Sequence, residues 1–99
     1  MNFGKVVRKL REYSQKNQRN FADYIGISQT SLSFIESGKT IPTNATLDRI
    51  ARRFKTRRAL LVMAAFEVDK ELSASKKNQF NNLLPNFERE IWSLIFNSK

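Results

Sequence analysis

Residues 17–42 read NQRNFADYIGISQTSLSFIESGKTIP, and the stretch divides into two short helices joined by a tight link. Asn17 is placed to cap a helix from Gln18 to Ile25, with Phe21, Ala22 and Ile25 turned inward. Gly26 ends that helix, because the left-handed residue that closes a helix is easiest for glycine. Ser28 then caps a helix from Gln29 to Ser37, which Gly38 stops in the same way. At about 100° per residue, Leu32 and Ile35 fall on one side of this second helix, flanked by Ser31 and Glu36. Gln29, Thr30, Ser33, Phe34 and Ser37 cover the other side. That outer face is almost uncharged and rich in short hydrogen-bonding groups, which suits the reading of base edges. Glutamine can pair with adenine N6 and N7, hydroxyls can bond to several bases, and an aromatic ring or threonine methyl can pack on a thymine methyl. Positive charge belongs around such a face, on the phosphates.

Helical spacing continues on both sides of this stretch. From Asn2 to Ser14, Phe3, Val6, Val7, Leu10 and Tyr13 form one apolar stripe, with Lys5, Lys9, Arg11 and Glu12 largely outside it. Pro42-Thr43 opens a helix to about Phe54, striped by Leu47, Ile50, Ala51 and Phe54. Thr56 is placed to cap a fifth helix from Arg57 to about Glu67, carrying Leu60, Leu61, Ala64 and Phe66. Residues 68–84 are polar, with a short helix expected around Lys76 to Leu84. Pro85-Asn86 restarts the chain, and Asn86 is the expected N-cap of a last helix, Phe87 to Phe96. Glu88 and Glu90 sit in its first turn, where carboxylates suit the helix dipole. The expected fold is all-α.

Composition narrows the function. The chain of 99 residues has no cysteine and no histidine, which removes thiolate metal sites and the commonest general base and metal ligand. With nine scattered carboxylates and neither His nor Cys, no paired acid and base can be placed, and no metal or cofactor is expected. The net charge is +9, and residues 1–58 hold all of it, with 13 Lys and Arg against Glu12, Asp23, Glu36 and Asp48. Residues 59–99 hold five of each sign. A basic front and a neutral back point to one surface for a polyanion and another for packing. The longest apolar run, Ala59 to Phe66, is too short to span a bilayer, and residues 1–5 lack the apolar core of a signal peptide. No membrane association and a cytoplasmic location are the expectations.

The motif from Gln18 to Lys39, followed by Pro42, resembles the Cro/phage-repressor, or XRE-type, helix-turn-helix family. The resemblance rests on glutamine, two polar residues, a large apolar residue and alanine (Gln18 to Ala22), then Gly26, Ile27 and Ser28, and a second helix ending in Glu36-Ser37-Gly38-Lys39. It extends from about Phe3 to Met63. The resemblance implies a five-helix DNA-binding bundle of the lambda-repressor type. It also implies base contacts from Gln29, Thr30, Ser33 and Phe34, and an ion pair of Arg11 with Glu36 that ties helix 1 to the end of helix 3. Phosphate contacts are implied for Gln18, Arg19, Ser28, Lys39, Thr40 and Asn44. The plainer alternatives are that Gln18 is an exposed first-turn residue, that Phe34 folds back onto helix 1, and that Lys39 is merely solvated. The chain departs from the family pattern at Gln15 and Lys16, where a glycine and a leucine-like residue are usual, so a longer or less buried turn is expected there.

The DNA-binding unit is expected to span residues 1–67, with 68–99 as a C-terminal helical extension of one or two helices. Phe87, Ile91, Leu94 and Ile95 form one stripe of the last helix, widened by Trp92 and Phe96. A helix so apolar must be buried. One reading folds it onto helices 1 and 5 of its own chain; the other makes it a homodimer contact, and the two are compatible. The functional expectation is a sequence-specific regulator binding double-stranded DNA, a repressor acting as a dimer on a palindromic operator. The alternative is an antitoxin or accessory protein that grips a protein partner through the last helix and autoregulates its operon.

Overall fold

The computed structural model describes residues 1–97, and among these the secondary structure is entirely helical. The helices are α1 (Phe3–Tyr13), α2 (Gln18–Ile25), α3 (Gln29–Glu36), α4 (Asn44–Arg53), α5 (Arg58–Ala65), α6 (Val68–Glu71), α7 (Ala74–Leu83) and α8 (Phe87–Phe96). None of them is long and apolar enough to cross a membrane.

The first four helices are closed at both ends by the same devices. Side-chain oxygens of Asn2, Asn17, Ser28 and Thr43 accept the amides of Lys5, Asn20, Ser31 and Thr46, satisfying donors that the helix leaves unpaired. At the other ends, the amides of Lys16, Ile27, Lys39 and Thr56 return to the carbonyls of Arg11, Ala22, Phe34 and Ala51. Each closure needs a left-handed residue just before the returning amide. Gly26 and Gly38 supply two of them, at φ 76° and 82°, whereas Gln15 (56°) and Lys55 (54°) supply the others against the steric preference of a side chain. The α1–α2 turn is therefore a tight closure, neither longer nor looser for having Gln15 in place of glycine. Lys16 lies half-buried with its ammonium 4.9 Å from the centre of the Tyr24 ring.

Beyond α4 the chain departs from the expected boundaries. Thr56 does not cap α5: its amide closes α4, and its buried hydroxyl meets no partner among the described residues. The N-cap of α5 is Arg57, without a side-chain bond. This helix stops at Ala65 because Phe66 turns extended and brings its ring to 6.0 Å from that of Phe80. The short α6 was not expected, and α7 begins at Ala74, earlier than the periodicity suggests, under a cap from Ser73. Asn86 occupies the N-cap position of α8 but makes no side-chain capping bond.

One apolar core runs through the molecule. Val6, Val7, Leu10, Phe21, Ile25, Leu32, Ile50 and Leu61 are essentially sealed from solvent, and Ile91, Trp92 and Ile95 of α8 belong to the same cluster. Burial of these side chains contributes about 1.5–3 kcal/mol each for the larger aliphatic and aromatic ones. Helix α8 lies along α5. At its C-terminal end, Phe96 stacks between Tyr13 of α1 and Trp92, at 4.0 and 5.3 Å between ring centres, while the Lys9 ammonium stands 4.4 Å from the centre of the Trp92 ring. Of the two readings of the last helix, the structure holds the fold onto its own chain. Ile91, Trp92 and Ile95 lie in that core; Phe87 and Phe96 are half-buried against it, and Leu94 is exposed.

Candidate nucleic-acid interface

Helix α3 is held from behind at both chemical levels, by close packing and by charge. Leu32 and Ile35 anchor it in the core. Gly4 of α1 lies against its last turn so closely that a Cβ there would stand 2.6 Å from the carbonyl oxygen of Glu36 and 2.7 Å from that of Ile35. Only a residue without a side chain permits this approach of two backbones. The buried Glu36 carboxylate then gathers three helices. Arg11 donates to it through Nε (2.8 Å) and a terminal nitrogen (3.0 Å), and Gln18 Nε2 donates to Oε1 at 3.3 Å. Arg8 approaches Oε1 at 3.6 Å and donates to the Glu36 carbonyl at 3.4 Å. The hydrogen bond to Glu36 raises the pKa of Arg11 above the usual guanidinium value, outweighing its partial burial. Two-pronged pairing of this kind fixes direction as well as distance.

The opposite side of α3 is open. Gln29, Thr30 and Phe34 are exposed, with Ser33 half-buried between them. Phe34 is 40% exposed and does not fold back onto α1. Instead the Lys39 ammonium sits 5.1 Å from the centre of its ring, so a cation and an aromatic face share the edge of the surface. Arg19, Thr40 and Asn44 are exposed. Ser28 is exposed too, but its hydroxyl accepts the Ser31 amide at 3.0 Å and donates to Ser31 Oγ at 2.9 Å, so it is occupied with capping. Gln18 donates one N–H of its amide to Glu36, which leaves the second N–H and the carbonyl oxygen uncommitted.

The arginines of α4 and α5 separate into held and open ones. Arg53 donates to the Tyr24 carbonyl at 2.8 Å and lies over the Tyr24 ring, and Arg58 pairs with Asp48 at 3.3 Å. Arg52 and Arg57 are exposed, and neither is in an ion pair among the described residues. Sequence reasoning missed Gly4 and Arg8. A glycine inside an apolar stripe that follows Asn2 was the available signal for the first.

A helix held at its back by an invaginated carboxylate and presented by its neutral face, with its start aligned on the end of α2, is the arrangement that a helix-turn-helix requires. A family model described as helix-turn-helix matches residues 6–61. The chain belongs to the XRE-type helix-turn-helix family. This helix-turn-helix protein is thus a DNA-binding transcription regulator, of a family not known for catalysis. No match was found among curated proteins or among solved structures. In this helix-turn-helix, α2 and α3 are the two helices of the motif, with α1, α4 and α5 completing the bundle behind them.

Proposed function

We propose that the protein reads a specific double-stranded DNA site with α3 and represses transcription by occluding a promoter. The outer face of α3 carries this reading: Gln29, Thr30 and Phe34 are exposed there, while the only carboxylate of the helix is turned into the core. Gln29, Thr30, Ser33 and Phe34 are assigned to base edges. Arg19, Lys39, Thr40 and Asn44 are assigned to phosphates, with Gln18 and Ser28 contributing through the groups their internal bonds leave free. A single α3 spans few base pairs, so the operator is proposed to be a palindrome read by a homodimer, with half-sites about 34 Å apart. The rival reading, an antitoxin gripping a partner through α8, has less exposed apolar surface to rest on, because Ile91, Trp92 and Ile95 of that helix are buried in the chain's own core and Leu94 is its exposed apolar residue.

A binding selection from random duplexes supplies the site and its symmetry. Against that site, replacing both Gln29 and Ser33 with alanine is expected to abolish discrimination from random DNA while non-specific binding persists. Lys39→Ala is expected to weaken binding evenly across sequences and lower the salt slope by about one. Undiminished discrimination in the double variant would remove α3 as the reader.

A further inference from the structure

The C-terminal helices do not close completely onto the bundle. A groove of about 800 Å³ lies between the start of α1, the end of α5, and the α6–α8 segment. Its size falls in the range of small-molecule sites. Phe66, Phe80, Phe87 and Trp92 line its apolar part, with Phe80 between Phe66 (6.0 Å) and Phe87 (5.1 Å). The charges around it are not balanced. Each carboxylate on the groove is already matched: Glu88 by Lys5 at 3.0 Å, Asp69 by Lys77 at 2.6 Å, and Glu67 by Lys70 at 3.5 Å and the terminal amine at 3.7 Å. Lys9 and Arg89 also line the groove, and neither has a carboxylate partner among the described residues. The surplus is two cations beside an aromatic floor.

We propose that this groove binds a small amphipathic carboxylate, with the apolar body on the aromatic floor and the carboxylate between Lys9 and Arg89. Charge complementarity selects an anion, since every negative group present is neutralised within the protein. The aromatic rings on the groove offer an apolar body a surface to pack on, beside the polar rim that carries the two cations. The site also has a route to the DNA-facing side. Helix α1 contributes Lys5 and Lys9 to the groove, while Gly4, Arg8 and Arg11 of the same helix hold the end of α3.

Trp92 is the single tryptophan of the chain and lines the groove, so its emission reports occupancy directly. The test titrates the full chain, without DNA, with decanoate, decanol and decyltrimethylammonium. Saturable quenching or shift with decanoate, about tenfold weaker with decanol and absent with the cation, is the expected result. Lys9→Met and Arg89→Gln are both at exposed positions, and each is expected to weaken decanoate about threefold to tenfold. The melting midpoint is expected to be unchanged in Arg89→Gln, which keeps the Lys9 contact with Trp92. The affinity of Lys9→Met is read from the midpoint of its titration rather than from its starting emission. No saturable response, equal binding of decanol, or indifference to both substitutions would overturn the proposal. So would self-association of the chain that both substitutions disrupt, since the groove would then belong to a second copy. Because the measurement contains no DNA, its outcome is independent of the reading of α3.

Discussion

The two halves of this molecule are built on different terms. In α1–α4, every helix is capped by a side chain at its start and closed by a left-handed residue at its end, and every helix buries at least three residues. In α5–α8, only α7 has a side-chain cap, and α6 and α7 bury nothing completely. The first half is specified locally, residue by residue; the second takes its form from tertiary contacts with the first. Where local and tertiary signals agree, a region is held firmly, and where only a few ring contacts attach it, it can open separately.

The largest expected effect lies in the first half. Arg11→Ala leaves the buried Glu36 carboxylate with Gln18 and the more distant Arg8, and is expected to cost about 3 kcal/mol in denaturant unfolding. A loss below about 1 kcal/mol would mean that Arg8 takes over the pair and that the halves differ less than their contacts suggest. In the second half, Phe80→Ala removes the ring joining α7 to Phe66 and Phe87. Hydrogen exchange is expected to accelerate across α6 and α7, by about 1–2 kcal/mol in local opening, with α1–α4 unchanged. Acceleration through α2 and α3 as well would show a single cooperative unit. Smaller still, and opposite in sign, Gln15→Gly is expected to stabilise the protein by about 1 kcal/mol by relieving the left-handed side-chain conformation.

The least effect is that of acid. Asp69 is held below its ordinary pKa by its hydrogen bond from Lys77, and Glu71 by the backbone amide of Glu67 and the terminal amine. A carboxylate whose folded pKa is depressed stabilises fully above its unfolded pKa and loses that contribution as pH falls through the folded one. Amide shifts of α6 are therefore expected to hold at neutral pH and to change only below the ordinary carboxylate range.

The same contrast explains what could be read from the sequence. Asn17, Gly26, Ser28 and Gly38 mark the bounds of α2 and α3 by their own chemistry, and the helical wheel separates Leu32 and Ile35 from Gln29 and Thr30 without tertiary information. Thr56 misleads because a hydroxyl before a helix looks like a cap, yet the amide of the same residue was needed to close α4. The end of α5 and the existence of α6 depend on where Phe66 finds Phe80, a contact between residues that no local rule connects. Within the candidate interface, the polar identity of the face was legible, but the internal bonds that occupy Gln18 and Ser28 were not, since both depend on neighbours brought in by the fold.

Glu36 has one further consequence. Its carboxylate, 2% exposed, is a point where α1, α2 and α3 are fastened together, so the motif has no internal joint. A reader assembled this way meets DNA with its backbone orientation already chosen. In the proposed complex, the entropy lost on docking falls on the side chains assigned to DNA, Gln29, Thr30 and Lys39, and on rigid-body freedom, at about 0.5–1.5 kcal/mol for each immobilised flexible side chain. Adjustments between one DNA sequence and another have to be made by those side chains or by bending of the duplex, because the helix beneath them cannot turn alone.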